Sequence, residues 1–596
     1  MDDVDSVQAQ IARNMLVSGD WVTARLDGVA YLEKAPLIYW MMAGSYKIFG
    51  VHDWAARIPV ALSAVALCLL TAAFGAWAFG RRAGFYAGLC MSTCIGLFLF
   101  TRILIPDVML TFTVALAMWS LLRALDEEEP HPRLWSLLLA ASLGTGLLLK
   151  SMVAVVFPIA GGLIYLFVTH QLFSVRTWKR LHPFSGALMV LLIAAPWHVL
   201  ATLRNPPYFV WTFHSGPGQY HGFLWFFFIN EQVLRFLNLR YPRDYNTVPR
   251  LWFWLLHLVW LFPWSVYLPA VAKLSFRPVD RAGQTRLLAL YWAGFVFVFF
   301  TFSTTQEYYS MPAYPALALL LGSTIAIGGS WVRRGTRALT VIAALAAVAV
   351  FAILIRVHGV PVSGDISTAL NPAHKVYTLS LGQMADLTLD SFAYLRLPLV
   401  VAGIAFLVGV VGTLKASSRR TFLAAALMMV LFFHAARLAM VVFDPYFSSR
   451  PLADVLMRSP DGKLITQGHY YPFAAVFFYT NRTALLLTNR RVNLEYGSYA
   501  PGAPQVFIDN SKFKELWSGP DRYYLFAPAS ARSSYEALVG PALIHTVAAI
   551  GGKILVTNQP LDRSALPAVP TGESAPQAVA GRVDPSRNLS HSLASD

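Results

Sequence analysis

Twelve apolar stretches, most of them long enough to cross a bilayer as helices, run through residues 55–442 and decide what this chain can fold into. A hydrocarbon core about 30 Å thick takes roughly 20 apolar residues per helix. The stretches lie near 55–79, 84–101, 108–125, 134–149, 152–169 and 184–203, then near 252–272, 285–303, 311–331, 337–357, 396–414 and 421–442. Backbone polar groups in lipid must be satisfied within the segment itself, so the expected fold is an α-helical polytopic membrane protein of about twelve spans. Composition points the same way. Of 596 residues, 56% are hydrophobic and 13% charged, against about 25% charged in soluble chains. An ordinary soluble enzyme and a disordered chain are both excluded. Cys68, Cys90 and Cys94 all sit in apolar stretches, which excludes a disulfide scaffold and a Cys-x-x-Cys metal site.

The net charge of +16 is distributed by topology. Six short loops carry sixteen basic residues: Arg81 and Arg82; Arg133; Arg176, Lys179 and Arg180; Lys273, Arg277, Arg281 and Arg286; Arg333, Arg334 and Arg337; Lys415, Arg419 and Arg420. The positive-inside rule makes those loops cytoplasmic, and no nucleic-acid partner is expected. The alternate segments then face outward, onto the periplasm of a bacterial inner membrane. They are residues 1–54, the loops 204–251 and 358–395, and a region from 444. The transmembrane region spans 55–443. Residues 444–560 read as a small α/β periplasmic domain, with β-like runs at Lys463–Gln467, Ala474–Tyr479, Ala484–Leu487, Gln505–Ile508, Arg522–Phe526 and Lys553–Thr557. Residues 561–596, rich in Ala, Pro and Ser, read as a disordered tail. An acidic start on the outer side with no signal ahead of it implies a thirteenth span upstream of this sequence.

Ionisable residues at the ends of spans mark function, and here they converge on the outer side. They are Asp2, Asp3 and Asp5; Glu33 and Lys34; Arg102 and Asp107; Lys150; Glu231 and Arg235; and Glu307 with Tyr309. Each has a plain structural role open to it. Lys34, Arg102 and Lys150 could anchor at lipid headgroups, Asp107 could cap the helix that follows, and Glu231 with Arg235 could be a helix-surface pair. The runs Trp225–Phe228 and Trp252–Trp254 fit an interfacial belt, and His198, His214 and His221 fit loop or belt positions better than metal ligation. Taken jointly, the set offers carboxylates for general-base work or metal ligation and cations, Arg102 among them, to hold a phosphate. That combination suits transfer chemistry on a lipid-phosphate substrate.

One set of motifs is more specific. Ile11–Thr23 with its Gly19-Asp20-Trp21, followed by Tyr31-Leu-Glu33-Lys34-Ala-Pro36, resembles the first periplasmic loop of the lipid A aminoarabinose transferases. The likeness continues through Phe49-Gly-Val, Ala55-Ala-Arg57-Ile-Pro, Arg102 to Asp107, Leu149-Lys150-Ser and Ser303–Leu319, and so covers most of residues 1–330. Those enzymes are polyprenyl-phosphate-sugar-dependent relatives of the protein O-mannosyltransferases, with the membrane glycosyltransferase fold called GT-C. The resemblance implies an inverting glycosyltransferase that moves a sugar from a polyprenyl-phosphate donor to a periplasmic acceptor, lipid A or another glycan or lipid. It assigns the catalytic acid to Asp5 or Asp3, with Val4 and Asp5 aligned on the family's two acids, and a second acid to Asp107. It assigns donor-phosphate contacts to Lys34, Lys150 and Arg235, a place near the donor to Tyr309, and metal binding to Glu33. Gln232 stands where the resemblance implies a histidine ligand to a divalent metal, leaving His214 or His221 to substitute. No organic cofactor is implied. Glu231 joins the substrate-binding set through its pairing distance from Arg235. Two other readings stay open: a bacterial protein O-mannosyltransferase with a protein acceptor, and a polytopic transporter, which the one-sided charges and the lack of repeats disfavour.

Overall fold

The computed structural model describes residues 1–243, 247–303, 306–371, 382–414, 419–488 and 492–561. The first segment opens with helix α1 (Asp3–Ser18), which Asp2 caps by accepting the Asp5 N–H at 2.8 Å. Gly19, at φ +71°, ends it in the left-handed conformation that glycine adopts without cost. A tight hairpin of β1 (Arg25–Leu26) and β2 (Val29–Ala30) follows, then α2 (Leu37–Phe49). Val7, Ile11 and Met15 of α1 and Ile38, Tyr39 and Met42 of α2 are buried in one core. The segment therefore packs as a layer of structure and not as a loose loop.

The bundle begins with α3 (Asp53–Phe79), then α4 (Arg81–Thr93), α5 (Ile95–Phe100), α6 (Asp107–Leu125), α7 (Pro132–Lys150) and α8 (Val153–Val168). Among the described residues, nine helices are long and apolar enough to cross a membrane, or ten if one bent pair counts as a single span. Of the twelve apolar stretches expected to span, three are not single long helices. The stretch at 84–101 is broken by the extended backbone of Cys94, and the stretch at 152–169 is a helix of 16 residues. The stretch at 252–272 becomes two helices, Arg250–Trp260 and Trp264–Val271, bent by 97°. Pro263 lies at that bend, where its missing N–H and fixed φ do not permit a continuous helix. Composition alone does not distinguish a straight apolar helix from a broken one.

α6 and α7 form an antiparallel pair of 19 residues each, about 28 Å long at 1.5 Å per residue. Their ends differ chemically. At one end the connecting residues Asp126 and Glu128 each accept from Arg281 at 2.8 Å, and Glu127 pairs with Arg176 at 2.8 Å, so the acidic run is matched by residues of the basic loops. At the other end stand Asp107 and Lys150.

The C-terminal region carries a six-stranded sheet, β3 (Lys463–Gln467), β4 (Ala484–Leu487), β5 (Phe507–Ile508), β6 (Tyr523–Pro528), β7 (His545–Ile550) and β8 (Lys553–Thr557), in the order β5-β4-β3-β6-β8-β7. The β5-β4-β3-β6 pairings are parallel; β8 runs antiparallel to both β6 and β7. The run at 474–479, expected as a strand, is instead a helix, Ala474–Thr480, whose residues 474–478 are all buried. A short uniformly apolar run carries no period by which to separate the two. Strand β7 is an addition to the expected set. The expected disordered tail, from residue 562 on, lies outside the described residues.

This domain is docked on the first segment by polar contacts. Asp3 accepts from Lys553 Nζ at 2.7 Å, from Ser449 Oγ at 2.5 Å and from the Ala475 N–H at 2.9 Å. Asp27, at the hairpin tip, accepts from the Ala484 N–H at 3.1 Å. Tyr31 and Tyr471 share a hydroxyl contact of 2.9 Å. At Gly497 the chains approach so closely that a Cβ would lie 1.9 Å from the Ala30 carbonyl oxygen, which requires glycine there.

Candidate active site

The loop 101–106, between α5 and α6, sets two acids on either side of itself. From α1, Asp5 reaches in: its Oδ1 accepts the Leu104 N–H at 2.8 Å and its Oδ2 accepts from Arg57 of α3 at 2.5 Å. Arg57 also donates to the Arg102 carbonyl at 2.5 Å, so one guanidinium fixes acid and loop together. Asp107 then opens α6, buried, and pairs with Lys150 at the end of α7. The Lys150 ammonium lies 4.5 Å from the centre of the Tyr309 ring and 5.3 Å from that of Tyr308.

From Tyr309 the contacts continue into the segment after residue 222. Arg235 donates to the Tyr309 hydroxyl at 2.9 Å and to Glu231 Oε2 at 2.7 Å. Glu231 lies in a widened helical segment, Trp225–Leu234, which ends with the Arg235 N–H bonded to the Asn230 carbonyl five residues back. Such π-type turns recur at functional sites because they re-aim side chains. Arg240 pairs through Nε with Glu231 and donates through its terminal nitrogen to Glu33 Oε1 at 2.8 Å. Glu33 Oε2 accepts from the Tyr31 hydroxyl at 3.0 Å. Asp107, Lys150, Tyr309, Arg235, Glu231, Arg240 and Glu33 thus form one continuous polar network.

Burial tunes the acids. Desolvation, with Asp2 alongside, pushes the Asp5 carboxyl up to about 7, although Arg57 and the Leu104 N–H pull the other way. Burial would also raise Glu231, but Arg240, Arg235 and Lys34 together hold it below the usual carboxylate range. Lys34 is half-buried and bears on Glu231 by charge. It also lines a narrow pocket together with Tyr31, Leu32, Tyr39, Trp197 and Phe223.

The structure brings together most of the candidates named from the sequence. Asp5, Lys34, Asp107, Lys150, Glu231, Arg235, Tyr309 and Glu33 all belong to this end of the bundle. Arg102 sits in the same loop, half-buried, its guanidinium 4.7 Å from the centre of the Phe98 ring. Asp3 is separated from them. Two residues from Asp5 along a helix means nearly the opposite face, and that face is the dock onto the C-terminal domain. The Trp225–Phe228 run is corrected from belt to core: Trp225, Phe226 and Phe227 are each 1% exposed, and Phe226 stacks on Tyr496 at 4.1 Å between ring centres. Trp252 and Trp254 are exposed, as a belt requires. Glu307 is buried at the foot of Tyr309's segment. Two residues escaped sequence reasoning as site members, Arg57 and Arg240. Neither an arginine in the first turns of a span, such as Arg57, nor one in a loop, such as Arg240, shows in the sequence whether it points to water or to buried acids.

The donor set does not fit a divalent metal at Glu33. Both its carboxylate oxygens already accept hydrogen bonds, from Arg240 and from Tyr31. Gln232 is half-buried, His214 is exposed, and His221 lies against the Trp225 ring, 4.6 Å between centres. Among the described residues no three His, Cys, Asp or Glu side chains gather as metal ligands would.

Comparison with known proteins adds kinship. Residues 33–199, which include Glu33, Lys34, Asp107 and Lys150, match the family model described as dolichyl-phosphate-mannose-protein mannosyltransferase. The undecaprenyl phosphate-alpha-4-amino-4-deoxy-L-arabinose arabinosyl transferase of Pseudomonas aeruginosa strain LESB58 is 31% identical over 363 residues, 58% of this chain and 60% of that protein. The enzyme of the same name from Aeromonas salmonicida is 27% identical over 323 residues, 53% of this chain and 54% of its own length. The chain therefore spans a little over half the length of the curated relatives it matches. The crystal structure of ArnT from Cupriavidus metallidurans bound to undecaprenyl phosphate superposes with a TM-score of 0.73 over 95% of both chains, at 21% identity. The chain is a multi-span membrane protein with the GT-C fold of ArnT, similar in sequence to the undecaprenyl-phosphate aminoarabinose transferases.

Proposed function

We propose that the protein is an inner-membrane glycosyltransferase that takes a sugar from a polyprenyl-phosphate donor and passes it, with inversion, to a lipid or glycan acceptor such as lipid A on the periplasmic face. The observation that carries this reading is the placing of Lys150, Arg235 and Lys34 around buried acids at the end of the bundle remote from the basic loops. Cations there can bind a lipid phosphate at the membrane edge while its tail lies between helices. The relatives' names supply the donor class.

The mechanism follows from the geometry. An acceptor hydroxyl attacks the anomeric carbon opposite the departing polyprenyl phosphate, and a single displacement inverts that centre. Asp5, its carboxyl raised by burial, takes the hydroxyl proton; a phosphate acceptor requires no base. Lys34, Lys150 and Arg235 neutralise the charge that grows on the leaving phosphate, in a site where little water competes. Tyr309 orients Arg235 through its hydroxyl.

A second reading, protein O-mannosyl transfer, is favoured by the family model matched over 33–199. One experiment separates the two. Membranes holding the chain are given labelled undecaprenyl-phosphate aminoarabinose or mannose, and label is followed into lipid, glycan and protein fractions, with Asp5→Asn as control. Lipid labelling that Asp5→Asn abolishes at equal protein level supports the first reading, and protein labelling the second. No transfer into any fraction would overturn both.

A further inference from the structure

The residue that stands between the two site carboxylates is itself a cation. Arg240 has 0% side-chain exposure, and the Glu33 and Glu231 side chains that it bridges are 5% and 4% exposed. Among the described residues its guanidinium nitrogens donate to three acceptors: Nε to Glu231 Oε1, one terminal nitrogen to Glu33 Oε1 at 2.8 Å, and the other to the Pro242 carbonyl at 2.6 Å. The backbone beside it is pinned, because Asn230 donates to the Tyr241 carbonyl at 2.6 Å and accepts the Tyr241 N–H at 3.0 Å. Asn238, in the left-handed region at φ +62°, begins the turn that brings Arg240 back under the widened helix. A planar fork is suited to holding two carboxylates in a fixed relation, which a flexible ammonium is not.

Two buried acids side by side without a counter-charge would repel each other or collect a divalent cation. We propose that Arg240 is a built-in cation that holds Glu33 and Glu231 in register, taking the place a divalent metal ion would occupy between them. In this role it is a positioning residue. With both acids satisfied, Glu231 presents Arg235 toward Tyr309. The inference is structural; it leans on the proposed transfer reaction only for one of its two readouts.

The test uses the full chain in lipid nanodiscs with Mn2+ as the probe. Binding is read by loss of the free Mn2+ paramagnetic signal, which requires no activity. Wild type is expected to bind no Mn2+ tighter than about 1 mM and to keep its transfer rate after dialysis against EDTA. Arg240→Ala uncovers the two acids and should bind Mn2+ at least about tenfold more tightly, a gain that adding Glu33→Gln removes. Arg240→Met is expected to lower transfer by about a hundredfold or more, and Arg240→Lys to recover part of it, because a planar fork and not charge alone is required. Mn2+ binding by wild type that Glu33→Gln abolishes, or full activity of Arg240→Met, would overturn the proposal. If wild type transfers no sugar from any donor, the transferase reading fails while the Mn2+ titration still decides this one. If Arg240→Ala does not fold, the wild-type titration decides it alone.

Discussion

Lys553 and Asp3 are 550 residues apart in sequence and 2.7 Å apart in space. The pair ties the last strand of the C-terminal sheet to the first turn of the helix that carries Asp5. Burial raises the Asp3 carboxyl above its ordinary value, and Lys553, Ser449 and the Ala475 N–H only partly offset that. Removing one partner of such a pair leaves a buried charge alone, at a cost of about 3–5 kcal/mol. Lys553→Met should therefore lower the thermal midpoint sharply and expose the domain to protease, as read by unfolding scans and limited proteolysis in detergent.

The two acids of α1 should separate by phenotype. Asp5→Asn removes a general base and should cost about 10²- to 10⁴-fold in transfer with little change in protein level. Asp3→Asn should act on stability first and leave the pH profile of the surviving enzyme unchanged. Initial rates normalised to folded protein make the comparison.

The rate should also show an acid limb. Asp5 accepts a proton only when ionised, and burial places its carboxyl at about 7. Activity should rise with pH through that value for a hydroxyl acceptor, so a profile flat from pH 5 to 8 would take the base role from Asp5.

Asp27 predicts a stability effect of definite sign. Its carboxyl is pushed up to about 7 by burial, from an ordinary 3.8, with the Ala484 N–H as the opposing influence. A group that holds its proton more tightly when folded favours the fold fully below its unfolded pKa, and that contribution is lost as pH rises through the folded one. The dock of the hairpin on the sheet should weaken between pH 5 and 8. Thermal midpoints across that range should fall less in Asp27→Asn than in wild type.

Tyr309→Phe removes one hydrogen bond to Arg235 while keeping the ring that faces Lys150. A single neutral-to-cation bond is worth about 1.5–3 kcal/mol, so a loss of roughly tenfold to a hundredfold is expected. Lys150→Met, which also leaves Asp107 without its ion pair, should lose about a hundredfold or more. Steady-state transfer assays on both variants test the order.

Much of this architecture is written in the sequence because lipid imposes strict rules. Span length, loop charge and the gathering of Asp107, Lys150, Glu231 and Arg235 at one end follow from hydropathy and from the cost of a charge in hydrocarbon. What resisted reading were relations between distant segments. Asp3 and Asp5 look alike in a run of acids; only the helix, by turning them to different faces, gives one to the dock and one to the loop at Leu104. Arg240 looks like a loop arginine until the chain folds it between two glutamates. Ala474–Thr480 has strand-like residues, but its residues 474–478 are all buried, so its pattern carried no period.

The interlock of the last strand with the first helix bears on the order of assembly. Synthesis delivers α1 some 550 residues before Lys553. Through most of the chain's emergence Asp3 has no cation, and the helix that carries Asp5 has no domain to lean on. The membrane helices can insert and pair in that interval, and Arg57 and the Leu104 N–H can already hold Asp5, but the Asp3 face of α1 is covered only once the sheet closes. The buried acid at the start of the chain thus waits for a cation supplied near its end.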